Sequence, residues 1–196
     1  MIDERLERWL TALLETPGLT AITDPDEARR VHVEASLVAR PLIERVSGAL
    51  VDVGSGGGSP GIPLAATMPD RSVTLLEANG RKAAFLERIA REFPNVTVVR
   101  GRAEEQPTDV FGVAVARALA PAPVAAEWCL PLVRPGGIVV LYAGPSADGE
   151  RIVGVARRIG GGEVEQHEGV IVIPKIAPTP RGFPRKPGIA RKRPLA

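Results

Sequence analysis

Two rhythms of apolar residues alternate along this chain. Ile2, Leu6, Trp9, Leu10, Leu13 and Leu14 share one stripe of a helical repeat, with Asp3 and Glu4 at its amino end and Pro17-Gly18 closing it. Asp24, Pro25 and Glu27 have the spacing of a helix start: a cap, a first-turn proline and an acid three residues after the cap. That spacing predicts a second helix running to about residue 46, bent at Pro41.

From there short apolar runs take over. Residues 49–53, 72–77, 95–100, 112–116 and 138–142 read as strands. Helical patterns separate them: one opening at Pro60 and Pro63, one after Gly80 with Phe85, Leu86, Ile89 and Phe93 on a face, one over 120–132 with Trp128 and Leu132 inward, and one over 146–159. Strand and helix in alternation predict a parallel sheet. Pro135-Gly136-Gly137 reads as the turn into the fifth strand, and 163–166 with 170–175 as a hairpin about Glu168-Gly169, for seven strands in all. Residues 176–196 are punctuated by prolines and are predicted to form neither helix nor central strand. With no internal repeat, the pattern gives one domain over 1–196: a helical cap at 1–47, an α/β core at 48–175 and a basic, proline-rich tail at 176–196.

The densest chemistry lies where the first strand ends, in LVDVGSGGGSPGIPLA. Strand, glycine loop and helix open a nucleotide-binding βαβ unit, and glycines let a ligand approach backbone N–H groups closely. A dinucleotide loop would carry a third glycine where Ser59 stands, and a phosphate site would not place Asp52 at the strand end. Asp52 followed by Gly54, Gly56 and Gly58 suits S-adenosylmethionine instead, with the acid facing the α-ammonium and loop amides meeting the carboxylate. Glu77 ends the second strand 19 residues beyond Gly58, where an acid holds a ribose diol. Ala103 and Glu104 follow the third strand and are candidates for the adenine edge. Arg117, at the end of the fourth strand, points into the ligand crevice of an open sheet.

Composition narrows the setting. No apolar run is long enough to span a bilayer, and Asp3, Glu4 and Glu7 do not fit an export signal. Cys129 is the one cysteine, so the chain has no internal disulfide, and a cytoplasmic, monomeric protein without membrane contact is expected. Cys129 reads as core. His32 and His167 are isolated, and no cluster suggests a metal. The net charge of +2 hides an asymmetry: from Lys175 on there are seven basic and no acidic residues, leaving 18 basic against 23 acidic elsewhere. Lys175, Arg181, Arg185, Lys186, Arg191, Lys192 and Arg193, with Phe183 as a stacking face, are candidates for gripping RNA.

DVGSGGGSPGIPLA, LLEANGRKAAFL, GRAEE, VARALAPAPVAAEWCLPLVRPGG and KIAPTPRGFPRKPG together resemble the bacterial glucose-inhibited division protein B family, in register from about Leu19 to Leu195. The Arg117 segment and the run from Thr179 to Gly188 are the more specific parts. The resemblance implies a Rossmann-like methyltransferase fold, a mostly parallel seven-stranded sheet with helices on both faces and an N-terminal helical cap. It implies S-adenosylmethionine as cofactor and N7 of one guanine in small-subunit ribosomal RNA, free or in the 30S particle, as target. It implies cofactor contacts at Gly54, Ser59, Glu77, Ala103, Glu104 and Arg117, with Arg117 between cofactor and target. The chain departs from the family pattern at Ala35, at Tyr142-Ala143-Gly144 and at Pro174. Guanine N7 has a lone pair and no proton, so its methylation needs alignment and no general base. Methylation of another RNA or a small molecule, and a non-catalytic RNA-binding assembly factor, are the alternative readings. A nicotinamide oxidoreductase is disfavoured by Asp52 and Ser59.

Overall fold

A computed structural model describes residues 3–143 and 149–195. Helix α1 (Glu4–Glu15) is capped by Asp3, whose carboxylate accepts the Arg5 N–H at 2.9 Å. Its stripe buries Leu6, Trp9, Leu10 and Leu13, while Ile2 lies outside the described residues. The second helix is not one rod bent at Pro41. It is α2 (Pro25–Ala28), a π-helical turn at Arg29–Glu34, α3 (Ala35–Leu37) and α4 (Arg40–Ile43). Pro41 lies in the first turn of α4, where its missing N–H costs nothing, so it starts a segment instead of kinking one.

The core then runs β1 (Leu50–Val53), α5 (Gly61–Thr67), β2 (Val73–Glu77), α6 (Gly80–Ala90), β3 (Val96–Arg100), β4 (Phe111–Arg117) and α7 (Ala122–Cys129). It continues with β5 (Val133–Tyr142), α8 (Gly149–Arg158), β6 (Glu165–His167), β7 (Val170–Pro174) and α9 (Ile189–Lys192). Residues 146–148 of the predicted last core helix lie outside the described residues. The seven strands form one sheet in the order β3-β2-β1-β4-β5-β7-β6. β1 to β5 are parallel, and β7 and β6 are antiparallel. The hairpin of β6 and β7 and the parallel core agree with the sequence pattern.

Two local expectations give way. Pro135-Gly136-Gly137 lies within β5, because Gly136 N–H donates to Lys175 O and Lys175 N–H to Gly137 O, both at 2.8 Å, extending the ladder beyond β7. The tail is not wholly irregular, since α9 forms after Pro187, in a stretch that has no proline before Pro194. No helix among the described residues is long and apolar enough to cross a membrane.

Layers of apolar side chains sandwich the sheet. On one face α1 and the segments after it pack with α5 and α6 around Trp9, Ile62, Leu86 and Phe93. On the other α7, α8 and Ala190 of α9 pack around Ala126, Leu130 and Ile152, with Cys129 fully buried among them. Burial pushes the Cys129 thiol well above its ordinary range, as expected of a core thiol. Trp9 joins the cap to the glycine loop: it is 1% exposed, and its indole N–H donates to Gly57 O at 2.8 Å. Trp9→Ala is therefore expected to cost about 3–5 kcal/mol in urea unfolding. Trp9→Phe, which keeps an aromatic ring but loses the bond and part of the indole's volume, is expected to cost about 1–3 kcal/mol.

Candidate functional site

Chain order reverses between β1 and β4, and at such a switch point the carboxyl ends of parallel strands leave a crevice. A cleft of about 630 Å³ opens there. Val53 and Gly54 after β1, Leu76–Asn79 after β2 and Gly101–Glu104 after β3 line it. Leu119, Trp128 and Arg191 close its far side. A second hollow, of about 520 Å³ around Met68–Ser72, lies at the opposite edge of the sheet, away from the strands' carboxyl ends.

Glu77 shapes the cleft. The residue is 7% exposed, and its two oxygens accept the Gly56 N–H at 2.9 Å and the Asn79 N–H at 2.7 Å. One carboxylate thus ties the glycine loop to the start of α6. Each oxygen keeps a second lone pair for hydroxyl donors. Gly54 has φ +72°, a conformation that calls for glycine, and a Cβ there would also displace the end of Leu119 at the cleft wall. Gly56 contributes its amide to Glu77. Gly58 does not line the cleft, since its α-carbon faces Ile62 and Trp9 in the core.

The alternation of strands sends other residues elsewhere. Leu50, Val113, Val115, Ile138 and Val140 face the α1–α5 side of the sheet. The period of two puts Asp52, Arg117 and Tyr142 on that same side. Asp52 is 1% exposed, and its Oδ2 accepts the Gly61 N–H at 3.0 Å, while Oδ1 has no partner among the described residues. Asp52 therefore does not face the cleft, contrary to the expectation that it faces a ligand ammonium directly or through water: its carboxyl lies under the loop, against α5. Burial is the main reason its carboxyl is pushed up to about 7, with the Gly61 amide opposing.

Arg117 and Ser59 form a second polar group beside Asp52, outside the residues lining the cleft, contrary to the expectation that Arg117 points into that crevice, because its guanidinium is drawn to Val31 and Ser59. Arg117 Nη1 donates to Val31 O at 2.7 Å and to Ser59 Oγ at 3.0 Å. Ser36 Oγ lies 2.9 Å from Ser59 Oγ, and the Tyr142 hydroxyl donates to Ser36 O at 2.5 Å. Half-burial lowers the Arg117 guanidinium from its ordinary value, and burial lowers His32, helped by Arg117. His32 Nε2 meets Thr20 Oγ1 at 3.0 Å, and His167 is on the surface beside Glu165. Neither Ser36 nor Tyr142 is among the candidate site residues of the sequence, where Tyr142 figures only as a departure from the family pattern. Alternation along β5 places Tyr142 on this face, and packing of the segment after His32 brings Ser36 to it.

Ala103 and Glu104 lie in a short 3₁₀ turn at the cleft rim, as expected. Glu104 Oε1 accepts the Gly188 N–H at 3.1 Å, which brings the tail to the cleft. The tail's cations divide. Lys175 is 1% exposed, donates to Leu130 O at 2.8 Å and Thr179 Oγ1 at 2.7 Å, and pairs with Asp109 at 3.2 Å. Burial lowers its ammonium, and Asp109 opposes that. Arg185 forms a bidentate pair with the buried Glu127. Lys175 and Arg185 are thus internal, contrary to the expectation that they grip RNA, because each is consumed by a buried acid or carbonyl. Phe183 likewise packs against the α7–α8 core. Arg181, Lys186, Arg191, Lys192 and Arg193 remain exposed.

The Asp52 shift has a testable consequence. An acid whose folded pKa exceeds its unfolded value of 3.8 holds its proton more tightly in the fold, so stability falls as pH rises from about 4 to about 7. The full difference is worth about 4 kcal/mol. Asp52→Asn removes the titration and keeps an oxygen for Gly61. Urea unfolding at several pH values is expected to show the variant gaining on wild type up to pH 7, where a constant difference would contradict the assignment.

Residues 3–157 match the family model GidB, rRNA small subunit methyltransferase G. A ribosomal RNA small subunit methyltransferase G from Synechococcus elongatus is 40% identical over 98% of this chain and 88% of its own length. One from Moorella thermoacetica is 38% identical over 91% and 82%. Among solved structures, a Thermus thermophilus 16S rRNA N2 methyltransferase, RsmC, in complex with AdoMet and guanosine, superposes with a TM-score of 0.56 at 17% identity, covering 78% of this chain and 41% of that one. A SAM-dependent O-methyltransferase from Thermotoga maritima superposes at 0.59 and 16% identity, covering 84% and 73%. These likenesses extend to the Rossmann-like fold, and the sequence matches go further: the chain belongs to the GidB family of small-subunit ribosomal RNA methyltransferases.

Proposed function

We propose that this protein transfers a methyl group from S-adenosylmethionine to N7 of a guanine in small-subunit ribosomal RNA, as a cytoplasmic monomer acting on the RNA or the 30S particle. The observation that carries this reading is the cleft at the sheet's carboxyl edge, with Glu77 on one rim and Ala103-Glu104 on another, in a chain of the GidB family. Its volume is of the size that holds a small organic ligand.

In this reading the second lone pairs of Glu77 accept the ribose hydroxyls. The Ala103 N–H and the Glu104 oxygen not bonded to Gly188 meet the adenine edge. Gly54 lets the donor's amino-acid end approach the loop. Asp52 supports the α-ammonium from beneath the loop: a nearby cation draws off its proton, and the buried anion then holds the cation across the loop. S-adenosylmethionine supplies an electrophilic methyl on a sulfonium. Guanine N7 attacks it in line, the carbon–sulfur electron pair returns to sulfur, and the purine takes the positive charge. No proton moves, so the protein's contribution is alignment. Arg117, anchored through Nη1 to Val31 and Ser59, orients the base by donating to its acceptor edge beside N7.

The exposed tail cations hold the RNA backbone. With about four phosphates neutralised, log K is expected to fall against log salt with a slope of roughly −3 to −4. Methylation is tested with radiolabelled donor and small-subunit RNA lacking the modification, and the product is mapped by cleavage at 7-methylguanine. Label on an exocyclic amine, or none, would overturn the proposal. Gly54→Asp is expected to abolish binding of S-adenosylhomocysteine in calorimetry. Glu77→Ala is expected to weaken it by about 10- to 100-fold, from hydrogen bonds to a charged group worth about 1.5–3 kcal/mol.

A further inference from the structure

The tail's cations near the cleft pose a problem, because the donor molecule carries no phosphate for them to meet. The contacts of the segment answer it. Arg185 Nε and Nη2 reach the two oxygens of Glu127 at 2.5 and 2.6 Å, and the Glu127 side chain is 3% exposed. A bidentate guanidinium–carboxylate pair in so dry a place fixes orientation as well as position. Glu127 adjoins Trp128 on α7, so the pair docks the tail directly beside a residue that lines the cleft.

Beyond that anchor the segment follows the cleft. The Gly188 N–H holds Glu104 Oε1, Ala190 is buried at 1% exposure, and Arg191 returns over the opening. The Arg191 guanidinium carbon lies 5.4 Å from the centre of the Trp128 ring, and its Nη2 donates to Leu119 O at 3.4 Å. Trp128 is 8% exposed, and its indole N–H has no acceptor among the described residues. A buried donor without a partner costs free energy until something supplies an acceptor.

We infer that residues 183–193 form a wall of the cofactor cleft, with Arg191 as a positioning residue for the purine end of the donor and the Arg185–Glu127 pair as the clasp that seats it. Gly188 steadies the carboxylate read as meeting the adenine edge. Arg191 sits over the Trp128 ring and covers that side chain at the same end. The tail therefore belongs to the cofactor site before it belongs to the RNA. This inference rests on the cofactor reading above.

The test is calorimetric titration of the full chain with S-adenosylhomocysteine, without RNA, for wild type, Arg191→Ala, Arg191→Lys and Arg185→Ala. Arg191 is exposed, so its removal leaves no buried charge, and melting temperature checks that the fold is kept. Arg191→Ala is expected to raise Kd about tenfold at unchanged melting temperature, and Arg191→Lys to raise it less. Quenching of tryptophan fluorescence by neutral acrylamide is expected to rise in Arg191→Ala and in Arg185→Ala, since Trp9 is buried in the other core layer and Trp128 loses its cover. Wild-type affinity in Arg191→Ala, whether or not RNA binding falls, would overturn the inference and leave the function standing. A wild-type chain that binds no S-adenosylhomocysteine would overturn the function itself.

Discussion

The Glu77 carboxylate accepts the amides of Gly56 and Asn79, and those bonds decide where the chain can go after β1. A loop of glycines has little intrinsic shape, because each glycine samples both halves of the φ range. Here an acid at the end of the neighbouring strand supplies the shape, from a position that β1 and β2 hold in register. The loop is pinned on its other side by Trp9, which reaches Gly57 from the N-terminal helix. A rigid strand and a distant aromatic residue thus confine a segment that composition alone would leave loose. The cleft depends on that confinement, since Gly54 forms its floor beside Leu119.

The loop also separates two environments. The cleft holds Glu77, Ala103 and Glu104, while Asp52, Ser59 and Arg117 gather behind the loop with Ser36 and Tyr142. Strand periodicity produces this split. Asp52, Arg117 and Tyr142 end three neighbouring strands on one face, so their polar groups converge where the N-terminal segments pack. Burial raises the Asp52 carboxyl to about 7, so its charge is held less readily there than in water. The same arrangement hands Arg117 to the N-terminal segments, so that they, the loop and the fourth strand are joined by hydrogen bonds.

The basic tail shows how little a charge count says about a charge's use. Lys175 and Arg185 are drawn inward by Asp109 and Glu127, two acids far away in sequence. Their neighbours Arg181, Lys186, Lys192 and Arg193 remain in water, available to a polyanion. Docking through buried pairs gives the exposed cations a fixed origin, which a free tail would lack. The cost of ordering this segment is thus met once, in folding.

Local pattern was enough for the alternating strands and helices, the glycine loop after β1, the acid after β2 and the basic tail, because each depends on spacing along a few consecutive residues. It was enough also for Cys129 as core and for the cleft positions of Gly54, Glu77, Ala103 and Glu104. The direction of Asp52, the two roles of the tail's cations, the breakage of the second helix and the addition of Ser36 to the Arg117 group were decided only in three dimensions. Apart from the helix, each depends on a partner outside its own element: Gly61 of α5 for Asp52, Asp109 and Glu127 for the tail, Val31 and Ser36 for Arg117. A sequence states what a side chain can do, and packing chooses which of those partners reaches it first.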